Sequence, residues 1–190
     1  MKKITIALAA LFLFAGAGFA QTWSIDKAHS QLNFGIGHLG ISEIDGSFTS
    51  VDAKITSSAP DLSDAVIELT ADVNSINTFN EQRNTHLKSP DFFDAAKYGT
   101  LSFKSTSFKK ISDKNYRLEG NLTMHGVTKP VVLNVVFNGT ITHPMTKKQV
   151  AGFKVTGVIK RSDFGIAPSM PSNFLGDEVA LNALTEFTKD

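Results

Sequence analysis

No cysteine occurs anywhere in the 190 residues of this chain. That absence excludes disulfides, a thiolate nucleophile, cysteine-held metals and lipid attachment behind a leader, so stability has to come from a packed core. An excess of charge of one sign is lacking as well, with 19 Lys and Arg against 18 Asp and Glu. A phosphate-binding face needs a surplus of Lys and Arg, so nucleic acid is not expected as a partner. Polar aromatics are scarce: one Trp and two Tyr stand beside 15 Phe. Phe has no polar handle, and rings of this kind call for a wholly apolar setting. No GxSxG motif, glycine-rich phosphate loop, repeat period or low-complexity tract is present.

Long hydrophobic runs are missing except at the start. Lys2 and Lys3 precede an apolar run from Ile4 through Phe14, followed by small residues ending Gly18, Phe19, Ala20. A basic n-region, a short h-region and small residues before the cut describe a secretory signal peptide over 1–20, with cleavage after Ala20. The apolar run is short of the roughly 20 residues a membrane span needs. Processing would leave residues 21–190 as a single domain without a transmembrane segment, periplasmic or secreted, with 17 basic and 18 acidic residues and 12 of the Phe.

What is present in quantity is alternation. From Tyr116 to His125, Tyr116, Leu118, Leu122 and Met124 fall on one side with Gly120, and Arg117, Glu119, Asn121, Thr123 and His125 on the other. A period of two means a strand with one buried face. Gly126 to Pro130 breaks the pattern and reads as a hairpin loop. The returning strand carries Val131, Leu133, Val135 and Phe137 on its apolar face, while Val132 and Val136 make the other face partly apolar and ask for a cover.

The same reading extends along the chain. Trp23 and Ile25 mark a short leading strand; after the turn 26–30, Leu32, Phe34, Ile36 and His38 share a face. Phe48 is in even phase, whereas Val51, Ala53 and Ile55 are in odd phase, and a switch near Ser50 signals a bulge or bend. Ala65 to Val73 alternates again. Between Phe79 and Tyr98 the period changes: Asn80 to Lys88 is compatible with one or two helical turns, and Ser89, Pro90 and Asp91 resemble the start of a short helix. This segment, about 80–98, is the one helical insertion, a candidate cover for Val132 and Val136 or a lid at one end of the sheet. Further strands are expected around Leu101 to Phe108, Ala151 to Ile159 and Val179 to Phe187, with a bulge at Asn138-Gly139 and a loop over 162–176.

Eight substantial strands with one apolar face each, joined mostly by short loops, predict an all-β fold. An eight-stranded antiparallel barrel removes every edge; an open two-sheet sandwich is the runner-up. Closure would line one interior with Leu32, Phe34, Ile36 and His38, with Phe48, with Leu118, Leu122 and Met124, with Leu133, Val135 and Phe137, and with Phe153 and Val155. Such an interior either fills with side chains or holds one small ligand, and the pattern does not distinguish the two.

Catalytic chemistry has little support. Of the five His, His38 is in the inward phase and His125 in the outward phase, while His29, His86 and His143 fall in a turn, the helical segment and a loop. No HExxH or HxH is present, so neither a metal nor a catalytic residue is expected. Arg83 and His86 on the insertion, and Arg161 at a strand end, are candidate contacts for a polar head group at a barrel mouth; a solvated charged face, or, for Arg161 and Asp163, pairing with neighbours as the strand ends, is the structural alternative.

Four segments carry a family resemblance: Asp26-Lys27-Ala28-His29-Ser30 with Phe34 and His38; His86-Leu87-Lys88-Ser89 through Phe92-Phe93-Asp94; Gly120 to Lys129; and Arg161-Ser162-Asp163-Phe164-Gly165. In this order they resemble the YceI-like family. The resemblance implies a lipocalin-like barrel, secreted to the periplasm, that holds a polyisoprenoid or similar long-chain amphiphile in its apolar interior, without catalytic residues. The expected partner is then a long-chain isoprenoid or lipid, with no cofactor beyond that ligand, and a homodimer is one compatible assembly. A structural module with a filled core and a metal-dependent envelope enzyme are the competing functions.

Overall fold

A computed structural model describes residues 20–59 and 61–190. The expected signal peptide lies outside the described residues except for Ala20. The strands are β1 (Gln21–Ile25), β2 (Gln31–His38), β3 (Ser42–Phe48), β4 (Val51–Ser57), β5 (Val66–Asp72), β6 (Ile76–Asn77), β7 (Thr100–Lys110), β8 (Asn115–Met124), β9 (Val127–Thr142), β10 (Gln149–Lys160) and β11 (Leu175–Lys189), with one α-helix, α1 (Glu81–Lys88). Antiparallel pairing runs β1–β4–β5–β7–β8–β9–β10–β11 and returns from β11 to β1, so eight strands close into a barrel.

The remaining strands continue these walls towards one end. β11 pairs with β1 through Phe187 to Lys189, and with β2 through Leu175 to Leu184. β1 and β2 are thus one strand interrupted by the bulge at 26–30. The Asp26 amide donates to the Glu186 carbonyl at 2.8 Å, and the Glu186 amide donates to Ser30 Oγ at 3.1 Å, so the excursion stays pinned to β11. β3 and β4 form a second interrupted strand. At Thr49 and Ser50 the chain bends, held by the Ser75 carbonyl and hydroxyl, and the buried phase passes from Gly46 and Phe48 to Ala53 and Ile55. The phase switch near Ser50 is this bend. The expected bulge at Asn138-Gly139 is also present, as a register shift between β9 and β10.

Inward alternation is kept throughout β8, where Tyr116, Leu118, Gly120, Leu122 and Met124 are all buried. Gly120 has a steric reason: a Cβ there would lie 2.3 Å from the Phe103 ring. The hairpin after β8 differs from the sequence expectation. Its loop is only His125-Gly126, both at positive φ (+52° and +74°), which is the backbone of a two-residue hairpin turn. Val127 to Pro130 belongs to β9; Pro130 is tolerated because pairing with β10 begins only at Asn134, leaving a free edge where no donor is needed.

The helical insertion needs a second correction. α1 is N-capped by Asn80, whose side chain accepts from the Arg83 amide at 2.9 Å, and it ends at Ser89. No helix starts at Ser89-Pro90. The amides of Phe92 and Asp94 both donate to the Ser89 carbonyl and Asp94 has φ +46°, so the chain forms successive turns. Those turns set Phe93 edge-on to Phe48, ring centres 6.0 Å apart, and bury Ala95. The insertion is accordingly the lid of one barrel end and not a cover for the outer face: Val132 remains 46% exposed.

Candidate functional site

Two cavities occupy the barrel axis. The inner one, about 160 Å³, is bordered by side chains from every wall of the barrel, including Leu32, Phe34, Phe48, Leu118, Leu122, Met124, Leu133, Val135, Phe153 and Val155. The second, about 430 Å³, lies towards the lid and adds Ile36, His38, Ile44, Leu87, Phe92 and Phe93 with Ile166, Met170 and Phe174 from the loop before β11. Phe34, Phe48, Met124, Ile159 and Leu181 border both, so the cavities meet at a waist. The periods of two along β2, β3 and β8 to β11 bring these apolar residues to one interior.

Of the inward residues named from the sequence, Phe137 alone borders neither cavity. It lies in an aromatic plug beyond the inner one, stacked on Phe153 at 5.1 Å and edge-on to Tyr116 at 6.4 Å. Phe108 stacks on Tyr116 at 4.6 Å and Phe187 meets Phe153 at 5.9 Å. Together they seal the end of the barrel opposite the lid.

The polar groups gather at the lid end. Arg83 is half-buried; its Nε donates to Thr78 Oγ1 at 2.8 Å and its Nη2 to the Thr78 carbonyl at 2.6 Å. Asn84, buried beneath it, accepts from the Thr78 amide and hydroxyl at 2.8 and 2.7 Å, which locks the approach to α1. His86 is exposed, packs edge-on to Phe92 at 4.9 Å and lies 3.5 Å from Asp91. His38 lies at the rim, its ring 5.9 Å from that of Phe174.

Arg161 borders the larger cavity but is committed elsewhere. It is 4% exposed, and its five N–H groups meet the carbonyls of Gly176, Ile166, Ala167, Met170 and Leu175. A guanidinium has five donors, so none is left for a head group. Its partners where the strand ends are neighbouring main-chain carbonyls. Arg161 instead ties the loop before β11 into a wall of the mouth. Beside it, burial works against the charged form of Asp177. The Ser162 hydroxyl and amide, with the charges of Arg161 and Lys160, outweigh it and hold the carboxyl below its usual range.

The other histidines are elsewhere. His125 Nδ1 lies 3.1 Å from the Phe164 carbonyl and its ring 4.8 Å from that of Tyr98, fixing the β8–β9 turn against the loop. His29 is hydrogen-bonded to Asp26 at 2.9 Å, and Glu186 comes across from β11 so that single ligand atoms of the three residues lie within 4.8 Å. This grouping has no sequence spacing to announce it. It sits on the barrel exterior at the 26–30 bulge, apart from both cavities. Thr78, Ile166, Met170 and Phe174 are the mouth residues that sequence reasoning missed: they stand in loops, where no period marks a buried face.

An eight-stranded antiparallel barrel with an apolar chamber along its axis, plugged by aromatics at one end and lidded at the other, is a lipocalin-like β-barrel. More narrowly, the chain belongs to the YceI-like family, whose domain model matches residues 23–187. It is 37% identical over 174 residues to protein YceI of Salmonella arizonae, covering 90% of each chain. The crystal structure of the Campylobacter jejuni YCEI protein superposes with a TM-score of 0.72 at 31% identity, covering 81% of this chain and 90% of that one. A polyisoprenoid-binding domain from Saccharophagus degradans, implicated in plant cell wall breakdown, shares the fold with a TM-score of 0.63 at 18% identity, covering 88% and 98% of the two chains.

Proposed function

We propose that the protein is a non-enzymatic binding protein that holds one long-chain apolar amphiphile in its barrel and stores or carries it in the periplasm or outside the cell. A polyisoprenoid, an isoprenoid quinone and a fatty-chain lipid are the ligand classes. The observation that carries this reading is the pair of apolar cavities meeting at the Phe34, Phe48, Met124, Ile159 and Leu181 waist. Close-packed cores leave few voids larger than a water molecule. The ligand named for the Saccharophagus degradans domain supports the same class here.

The energetics suffice. Each methylene moved from water into such a chamber gains roughly 0.8 kcal/mol, so ten give about 8 kcal/mol, or micromolar affinity before ordering costs are subtracted. Shape and length, more than polar contacts, would select the chain. Binding without catalysis is favoured because, among the described residues, the one hydroxyl bordering the mouth, that of Thr78, is committed to Asn84 and Arg83 and has no hydrogen-bonded His to act as its base. The envelope location rests on the basic, apolar and small-residue pattern of residues 1–20.

Native mass spectrometry of protein purified from its own envelope, without added lipid, tests the proposal. One retained apolar ligand per chain is expected. A ligand-free mass that stays ligand-free after incubation with polyprenols, quinones and fatty acids would leave the barrel as a structural module.

A further inference from the structure

The polar lining of the larger cavity carries charge of one sign. Among the described residues its polar side chains are His38, Thr78, Arg83, His86 and Arg161, and no Asp, Glu or Lys borders it. Asp91, near His86, is outside the lining. Arg161 contributes a buried positive charge whose donors are all satisfied by carbonyls.

Arg83 is in a different state. Two of its five N–H groups hold Thr78, which fixes the guanidinium at the cavity wall. Among the described residues the other three have no hydrogen-bond acceptor, and Arg83 makes none of the ion pairs found there. A half-buried guanidinium above an apolar chamber, pinned in place and with no ion-pair partner among the described residues, is prearranged for an oxyanion. Its planar fork can donate to two oxygens at once, and Leu87, Phe92 and Phe174 make the lining of the same cavity largely apolar. The chain of such a ligand would run from Arg83 towards the waist.

We propose that the mouth selects the head group and that this barrel prefers an amphiphile ending in an oxyanion, a carboxylate or a phosphate monoester, held by Arg83 with His38 and His86 as neighbouring donors. The proposal rests on the reading of the interior as a ligand chamber and adds a charge requirement to it.

The experiment compares four probes of equal chain length on delipidated full-length mature protein, by displacement of a neutral fluorescent long-chain probe below the micellar range: hexadecanoic acid, hexadecyl phosphate, hexadecanol and methyl hexadecanoate. The acid, the phosphate or both should bind at least about tenfold more tightly than the alcohol and the ester, the scale of a charge-assisted contact. Which of the two leads distinguishes a carboxylate from a phosphate head. In Arg83→Gln the advantage should shrink to within about threefold, while the alcohol binds as before. The comparison on unaltered protein needs no variant, so it stands even if Arg83→Gln does not fold. Equal affinity for all four would overturn the head-group proposal and leave the chamber intact. An advantage fully retained in a folded Arg83→Gln would overturn the assignment to Arg83. Failure of all four, and of the neutral probe, would refute the chamber itself.

Discussion

At the end of the barrel where β1 begins and β11 finishes, Phe108, Tyr116, Phe137, Phe153 and Phe187 pack ring to ring, with Trp23 buried in the same core. At the other end the same strands carry Ile36, His38, Met124 and Leu181 around a cavity of about 430 Å³, closed only by α1, the turns after it and the loop tied by Arg161. One end is filled by side chains from continuous strands. The other is roofed by irregular segments that have to be held by polar contacts. The difference teaches that a period of two decides which side of a strand faces in, whereas height along the axis decides whether that position is core or chamber.

The largest effect that separates the ends is on stability. Phe153 is 6% exposed and touches Phe137 and Phe187, so Phe153→Ala should cost about 3 to 5 kcal/mol in urea unfolding. Phe174, at the mouth, is 50% exposed, and Phe174→Ala should cost less than about 1 kcal/mol. Similar losses at both positions would mean that the mouth is as much a packed core as the plug.

A smaller effect is expected at the 26–30 bulge, where the wall passes from β1, beside the plug, to β2, beside the mouth. The hydrogen bond to Asp26, then the Asp26 and Glu186 charges, raise the His29 pKa, burial opposing them. Asp26 is held below its usual range, chiefly by His29, with burial opposing and the Ala28 and His29 amides assisting. The His29 contribution is therefore fully present below the ordinary imidazole value of 6.5 and is lost as pH rises through the raised folded value. The Asp26 contribution is present above the ordinary carboxylate value and is lost as pH falls through the lowered one. Both groups are at the surface, so the effect should be slight: His29→Gln lowers the melting temperature at about pH 5 and has no such effect at about pH 9. An equal loss at both would show that the ion pair is not what His29 contributes.

Much of this was legible in the residues. Alternation from Tyr116 to Met124 and the phase switch at Ser50 follow from where the apolar side chains fall, and the bulge at Asn138-Gly139 from Pro144, which a strand following a turn at that pair would have to contain. Closure of β1 onto β11 was a matter of inference from strand number, because pairing across more than 150 residues leaves no local trace. The two-residue turn is hidden in the sequence because His125 keeps the phase of the strand, although its positive φ is what ends the strand. Ser89-Pro90 is a strong local signal for a helix start, but packing of the partly buried Phe92 and Phe93 and the buried Ala95 at the mouth favours turns there. Arg161 read as a strand-end charge since its five acceptors are main-chain carbonyls, which sequence does not mark.

Leu122 and Phe137 test the contrast most directly, because both face inward and only Leu122 borders the chamber. Thermal stability of the delipidated protein and binding of a fluorescent long-chain probe are to be measured together for wild type, Leu122→Trp and Phe137→Trp. Leu122→Trp should fold with near wild-type stability, its ring taking chamber space, and should bind the probe weakly or not at all. Phe137→Trp should lose about 1 to 3 kcal/mol by overpacking the plug while retaining binding. Strong destabilisation by Leu122→Trp, together with no binding by wild type, would contradict the chamber and identify the interior as a filled core.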